Sequence, residues 1–421
     1  MKKTYLYIGT LLIFSISFSC SRTTGLREGS PLAEKFSEER LNRIDAMIQD
    51  AIDKGWIAGA SGLIVRNGRI VYDRAFGVSD IETGTPLRTD DIFRIASQTK
   101  AITSIAVMML FEEGKFLLDD PVSRYIPEYA NPGVLDKYDP SDTSYTTVPA
   151  RREITIRDLL THTSGIEYAG IGSDVIKAIY AKGGIPGDFG SDRFILGDKM
   201  KALGRMPLLH HPGDKWTYGM NIDVLGYLVE VLSGETLDEY FRNHIFEPLG
   251  MTDTYFYLPS DKISRLVRVN TEDENHQVTA MDPSLFTYPV MKGTYYSGGA
   301  GLSSTTRDYA AFLQMLLNKG EYNGKRLLSR RSVDLITSNQ IGDLNVNNNK
   351  FGLGFEITTE RGQTELGITE GSFSWGGYFG TTYWADPMEQ LIGLLFIQQD
   401  PLNHSEIQSK FKAMVYQALD D

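Results

Sequence analysis

Ser97-Gln98-Thr99-Lys100 is the stretch whose residue types and spacing most directly suggest chemistry. A serine hydroxyl is a poor nucleophile near neutral pH. A lysine amine can take its proton only where burial or neighbouring cations favour the uncharged amine. On a helix, residues at i and i+3 share a face, so this spacing brings the Lys100 nitrogen within hydrogen-bond reach of the Ser97 oxygen. The residues after it, 101–113, have Ile102, Ile105, Ala106, Met109 and Leu110 as apolar positions and Gly114 as a stop, which predicts a largely buried helix. At the N-terminus of such a helix the Ser97 N–H and the positive dipole end favour negative charge developing on an attacked carbonyl. The chemistry such a pair could perform is nucleophilic attack of the serine hydroxyl on a carbonyl. The plainer alternative is a helix start with Ser97 as N-cap and Lys100 as a solvated charge. The apolar helix that follows tips the balance towards the reactive pair.

Two further stretches could serve that chemistry. In Trp216-Thr217-Tyr218-Gly219-Met220-Asn221-Ile222-Asp223, Tyr218 stands in a turn before an apolar helix. There its phenol could shuttle a proton to a leaving group, or simply cover a helix end. In Ser374-Trp375-Gly376-Gly377-Tyr378-Phe379-Gly380 the glycines let a ligand or another chain approach the backbone, and an N–H there could join that of Ser97 in holding an oxyanion. A bulged strand or a turn accounts equally well for the glycines taken alone. Other designs are absent: there is no Gly-x-Ser-x-Gly elbow, no His-Glu-x-x-His and no phosphate-binding Gly-x-x-x-x-Gly-Lys-Ser/Thr loop. The six histidines lack metal-ligand spacing, and His210-His211 before Pro212-Gly213 reads as loop. Neither a metal nor a cofactor is expected.

The elements that must position these groups follow from hydrophobic periodicity. Residues 38–52 carry Leu41, Ile44, Met47 and Ile48 on one helical face. The runs 60–65 and 70–72, joined by Asn67-Gly68, predict a β-hairpin. The middle of the chain, about 115–280, holds helical segments such as 223–232 between Gly-, Pro- and Asp-rich loops, and reads as a helical subdomain inserted into a sheet. A helix is expected over 308–317, strands over 351–357, 381–384 and 391–396, and a closing helix over 410–419. There is no internal repeat.

The net charge of −12 over 421 residues excludes a nucleic-acid partner, because no Lys/Arg stripe is available to neutralise phosphates. Lys2 and Lys3 precede the apolar run 6–18, which ends in Ser17-Phe18-Ser19-Cys20. That pattern is an export signal with a lipobox-like end, although Ser17 stands where such signals usually carry Leu. Cys20 is the sole cysteine, so an intrachain disulfide is excluded and its one evident task is to carry a lipid. The expected organisation is a lipoprotein-type signal over 1–20, a polar tether over 21–36 and one catalytic domain over 37–421. Within that domain the α/β part falls at about 37–96 and 285–421, and the helical part at about 97–284. Membrane contact is expected only through Cys20, and the location is periplasmic or at the cell surface. No later run reaches the ~18 apolar residues a spanning helix needs.

Together the motifs resemble the serine β-lactamase superfamily, in the group of class C β-lactamases, D,D-peptidases and family VIII carboxylesterases. Phe93-Arg94-Ile95-Ala96-Ser97-Gln98-Thr99-Lys100 resembles the nucleophile motif, and Ile156-Arg157-Asp158-Leu159-Leu160-Thr161-His162-Thr163-Ser164-Gly165 a stretch typical of the group. The resemblance runs from about residue 38 to the C-terminus. It implies an α/β fold of the β-lactamase and penicillin-binding-protein type, an antiparallel sheet flanked by helices with a mainly helical insertion. It also implies that Ser97 is acylated, that Lys100 is base and charge partner, that Tyr218 is the proton shuttle and that the N–H groups of Ser97 and Tyr378 hold the oxyanion. His162 belongs to a signature of the family but is not one of its catalytic residues.

Two departures bear on substrate. Met220 stands where the β-lactamases and peptidases carry the Asn of Tyr-x-Asn, and Trp375 where they carry the Lys of Lys-Thr-Gly. Those side chains bind the amide and the carboxylate of β-lactam or peptidyl substrates in the family. Asn221, one residue late, could put its amide near Tyr218 only through a loop shift. With Trp375, Gly376 and Gly377 forming a substrate wall, the pattern looks more like the carboxylesterase branch, which implies a small ester or amide substrate. Two alternatives stand beside it: a β-lactamase or D,D-peptidase, and a non-catalytic sensor module built on the same fold.

Overall fold

In this computed structural model the described residues are Met1, 25–187 and 189–421, so the expected signal segment and Cys20 lie outside them. The fold grows from the predicted hairpin. Asn67 and Gly68 both take positive φ, 54° and 74°, the backbone of a type I′ turn whose twist matches that of paired strands. The elements that position the site, in chain order, are β1 (Arg27–Glu28), α1 (Glu38–Asp53), β2 (Gly59–Arg66), β3 (Arg69–Asp80), α2 (Thr99–Glu112), α3 (Asn221–Ser233), α4 (Thr306–Leu317), β4 (Lys350–Phe351), β5 (Glu356–Ile357), β6 (Phe373–Gly376), β7 (Thr381–Asp386), β8 (Leu391–Phe396) and α5 (Glu406–Gln417). These strands form one sheet in the order β1-β3-β2-β8-β7-β6-β5-β4, antiparallel except for β1 against β3. The long chain between β3 and β4 therefore leaves the sheet and returns at its far side.

Helices cover both faces. α1 and α5 bury Leu41, Ile44, Ile48, Phe411 and Val415 against one face, around Trp384. α2 and α4 sit against the other, with α3 beyond α2, and Ile102, Ile105, Leu225, Leu228, Phe312 and Tyr383 share one apolar core. α2 is buried almost all round, as an internal helix must be when it lies between a sheet and a second helical layer. The fold is thus the α/β, helix-flanked sheet expected from the sequence.

Three expectations change. The segment read as tether is partly built into the fold: β1 pairs Arg27 with Arg69, and Phe36 is buried under α1 and α5. Its polar composition hid a strand edge and one anchoring ring. The single strand expected over 351–357 is two, because the chain turns at Gly354, φ 92°, with Gly352 N–H donating to Phe355 O at 2.7 Å. The region between β3 and β4 also carries hairpins of its own, among them Gly133–Asp139 with Ser144–Pro149, Asn270–Glu272 with Val278–Ala280 and Glu321–Tyr322 with Lys325–Arg326. Among the described residues no helix is long and apolar enough to cross a membrane.

Candidate active site

Ser97 does not cap α2. It sits in a single 3-10 turn, Ala96–Gln98, that runs directly into the helix, and its side chain makes no capping bond. Ala96 just before it holds φ at 42°, left-handed backbone that costs a residue with a Cβ about 1–3 kcal/mol and persists only where surrounding packing enforces it. Here the flanking bonds enforce it: Ile95 N–H donates to Leu302 O at 3.0 Å, and Leu302 N–H to Thr99 Oγ1 at 3.1 Å. The strained turn aims the Ser97 side chain away from the core and into the cleft.

Lys100, one turn on, is 2% exposed. Its nitrogen has three hydrogen-bond partners: Gly299 O at 2.6 Å, Tyr168 Oη at 2.7 Å and Ser97 Oγ at 3.1 Å. The Tyr218 hydroxyl meets the same Ser97 oxygen at 2.6 Å. The three groups singled out in the sequence therefore converge on one atom, although 121 residues separate Ser97 from Tyr218. The nitrogen also lies over both phenol rings, 4.8 Å from Tyr218 and 5.1 Å from Tyr168, whose negative faces stabilise the charge it gains with the Ser97 proton.

The carbonyl that receives Lys100 is itself fixed from both sides. Thr103 Oγ1 donates to Gly298 O at 2.6 Å, tying the 297–302 loop to α2. From α3, Asp223 Oδ1 accepts the Ser297 hydroxyl at 2.6 Å and the Gly299 N–H at 3.1 Å. Asp223 is 2% exposed, and burial raises its carboxyl above the usual range, with the charge of Lys100 the largest opposing effect. Gly299 is required here, since a Cβ would come within 2.3 Å of Asp223 Oδ2.

Tyr168 is the polar partner that the sequence did not reveal. Burial pushes its phenol well above the usual range, so it meets Lys100 as a neutral oxygen. Nothing in its spacing marks it; the one available signal is its place three residues after Gly165, at the end of the stretch carrying the family resemblance.

That stretch also seats Tyr218. Thr217 N–H donates to His162 O at 2.8 Å, and the His162 ring packs 5.0 Å from that of Tyr218. Burial holds His162 well below its ordinary pKa, with Lys100 adding to the effect, so it is a neutral ring under the site. Asn221 Nδ2 donates to His162 Nδ1 at 3.0 Å, and Asn221 Oδ1 accepts from the Ser164 hydroxyl. The amide of Asn221 is therefore wholly internal, and the idea that a loop shift brings it to Tyr218 does not hold. Met220 is buried too, with its side chain on a cavity wall.

Two cavities meet at Ser97. One, about 180 Å³, is mainly apolar and is walled by Ile171, Pro186, Phe189, Met220, Phe286 and Tyr295. The other, about 380 Å³, is lined by Tyr218, Trp375, Gly376, Thr382, Glu356 and Lys412 as well as Ser97. Trp375 stands in an aromatic group, 5.5 Å from Tyr218, 5.5 Å from Phe351 and 6.3 Å from Trp216. Gly377 does not line either cavity. A Cβ there would lie 2.4 Å from Ile95 O, so its bareness lets the end of β6 press on the backbone two residues before Ser97. That contact brings Tyr378 beside Ser97, where both border both cavities. The same Ser-x-x-Lys spacing recurs at Ser409-Lys410-Phe411-Lys412 in α5, but Ser409 is exposed on that helix, which shows how little the tetrapeptide means without its surroundings.

A hydroxyl held between an amine and a phenol, at the junction of two cavities on a helix-flanked sheet, defines a serine hydrolase of the β-lactamase and penicillin-binding-protein type. Residues 44–414 match the family model described as Beta-lactamase, and the chain belongs to that family. Its relatives include Protein Rv1367c of Mycobacterium tuberculosis, 35% identical over 86% of this chain and 90% of that one. A putative D-alanyl-D-alanine carboxypeptidase of Escherichia coli is 29% identical over 97% of this chain and 90% of the other, and Esterase EstB of Burkholderia gladioli is 29% identical over 82% and 86%. In three dimensions the fold matches that of EstCE1, a hydrolase with promiscuous acyltransferase activity, with a TM-score of 0.78 at 24% identity over 91% of this chain and 100% of that one.

Proposed function

We propose that the protein is an exported carboxylesterase that works through an acyl-Ser97 intermediate. The observation that carries this reading is the convergence of Lys100 Nζ and Tyr218 Oη on Ser97 Oγ at the mouth of an apolar cavity. With Lys100 as the uncharged amine, Ser97 Oγ attacks the ester carbonyl while its proton passes to that amine, and the N–H groups of Ser97 and Tyr378 receive the charge on the carbonyl oxygen. As the C–O bond to the alcohol breaks, Tyr218 protonates the departing oxygen and takes up the proton held by Lys100, so both groups return to their starting states. Water then cleaves the acyl-serine by the reverse route, releasing the acid and restoring the hydroxyl. Tyr218 lines only the second of the two cavities, so the alcohol leaves through that one and the acyl chain lies in the apolar one.

The aromatic group around Trp375 and the buried Met220 support an ester over a β-lactam or a peptide. Both replace polar anchors with apolar surface that leaves an amide or carboxylate unmatched at those two positions. Short-chain p-nitrophenyl esters, nitrocefin and a D-Ala-D-Ala peptide tested side by side decide between the readings. The ester should be turned over with a kcat/KM at least about a hundredfold above the other two. Faster nitrocefin or peptide turnover would transfer the assignment to that class, and failure of a fluorophosphonate to label Ser97 would favour a sensor module. Export with a lipid on Cys20 rests on Lys2, Lys3 and the apolar run before Ser19-Cys20. Metabolic labelling with an alkyne fatty acid should mark the wild type and spare Cys20→Ala; equal labelling of both would end the lipoprotein assignment.

A further inference from the structure

Three basic side chains stand close to the catalytic turn, and their donors are used very differently. Lys100 Nζ has three protein hydrogen-bond partners. Arg94, three residues before Ser97, is buried, and its guanidinium donates to the carbonyls of Tyr288, Val267 and Phe286 at 2.9, 3.1 and 3.1 Å. Lys412 differs from both. It projects from α5 into the larger cavity, which it lines together with Ser97, Tyr218 and Trp375. Among the described residues its ammonium donates no hydrogen bond and makes no ion pair. Its nitrogen lies 5.8 Å from the centroid of the Trp384 ring.

The surroundings of that ammonium are built for an anion. Strand register places Glu356 opposite Ser374, and Ser374 opposite Trp384, with Thr382 two residues before Trp384 on the same strand. Side chains at these positions share the sheet face that α5 covers. The hydroxyls of Ser374 and Thr382 line the same cavity and, among the described residues, make no hydrogen bond. Among the described residues Glu356 is the carboxylate whose charge acts on Lys412. It accepts a hydrogen bond from Asn349 Nδ2 at 2.6 Å, and burial raises its pKa. Burial correspondingly lowers that of Lys412, with the attraction of Glu356 opposing it. The cation is therefore incompletely neutralised and partly stripped of water, a state in which a charge-assisted hydrogen bond to an incoming carboxylate is strongest.

We propose that Lys412, with the hydroxyls of Ser374 and Thr382, is a carboxylate-binding subsite for the leaving alcohol, so that the preferred substrates are esters of carboxylate-bearing alcohols. This rests on the reading of Ser97 as the acylated group and of the larger cavity as the exit for the alcohol. The reaction itself is unchanged: the carboxylate takes no part in bond making, and the released product is a free hydroxy acid.

The test compares 4-butyryloxybenzoate with its methyl ester, which differ in one negative charge on the leaving group. Wild type should favour the carboxylate form in kcat/KM. Lys412→Met should lower the ratio of the two by about tenfold, Lys412→Arg should keep it within about threefold, and Glu356→Gln should raise it. A ratio that Lys412→Met leaves untouched overturns the subsite. Calorimetric binding of 4-hydroxybenzoate separates this proposal from the ester-hydrolase reading. If neither ester is turned over, yet the wild type binds the hydroxy acid about tenfold more tightly than Lys412→Met, the subsite stands and the hydrolase reading falls. Equal binding by the two proteins overturns the subsite.

Discussion

If Tyr218 delivers the proton to the departing alcohol, the penalty for removing its hydroxyl must depend on how much the leaving group needs that proton. Tyr218→Phe deletes one oxygen and keeps the ring against Trp375, Trp216 and His162. It loses the 2.6 Å bond to Ser97 Oγ, which is worth about 0.5–1.5 kcal/mol to stability, so the melting temperature should move by no more than about 4 °C. The kinetic effect is larger. A positioned acid-base group contributes about 10²–10⁴ in rate, or about 2.7–5.5 kcal/mol of barrier. With a p-nitrophenyl ester, whose phenolate departs without help, only the part of that contribution belonging to attack is lost, an expected fall in kcat/KM of about 10–100-fold. With an ethyl ester of the same acid, whose alkoxide cannot leave unprotonated, the fall should be about another 10–100-fold. Steady-state kinetics on the ester pair, with release of a common acid followed by pH-stat, reads both numbers. Equal penalties for the two esters would show that Tyr218 does not serve the leaving group, and a loss below tenfold on both would remove it from the mechanism.

Gly299→Ala places a methyl group against Asp223 Oδ2. It should cost about 1–3 kcal/mol in denaturant melts and displace the carbonyl that holds Lys100, with kcat falling more than KM rises; a variant as stable and as active as wild type would contradict the role assigned to the loop. Asp308 is pushed up to about 6, mainly by burial. Its ionisation therefore opposes folding, and wild-type stability should fall by about 3 kcal/mol between about pH 4 and pH 6 on its account. Asp308→Asn keeps an oxygen for Asp253 N–H and the Thr254 hydroxyl and should remove that part of the slope. Identical pH slopes in urea titrations of the two proteins would refute the assignment.

What could be read from the chain without coordinates divides along a physical line. The Asn67-Gly68 hairpin, the apolar face of α1 and the Ser97–Lys100 pair are local, resolved by period and turn chemistry within a few residues. Tyr218 was legible because its turn and the helix after it form a local pattern that matches the family. Tyr168, the 297–302 loop and Lys412 were not: the first two act through contacts more than 60 residues away in sequence, and Lys412 through strands that the sequence does not place beside α5. The closing helix over 410–419 follows from the sequence, but which of its lysines faces a cavity depends on where α5 lies on the sheet. Phe36 and β1 escaped for the same reason, a short polar segment being indistinguishable from a tether until β3 offers it an edge. Asn221 shows the opposite failing. Its nearness in sequence to Tyr218 suggested a site residue, whereas the first turn of α3 rotates it inward to His162 and Ser164.

The account depends above all on a covalent bond to one oxygen. Rapid quenching of the protein with p-nitrophenyl butyrate, followed by peptide mass spectrometry, should find the butyryl mass on the peptide containing Ser97 and none in Ser97→Ala, which should also lose turnover. A butyryl group on any other residue, or continued turnover by Ser97→Ala, would contradict it.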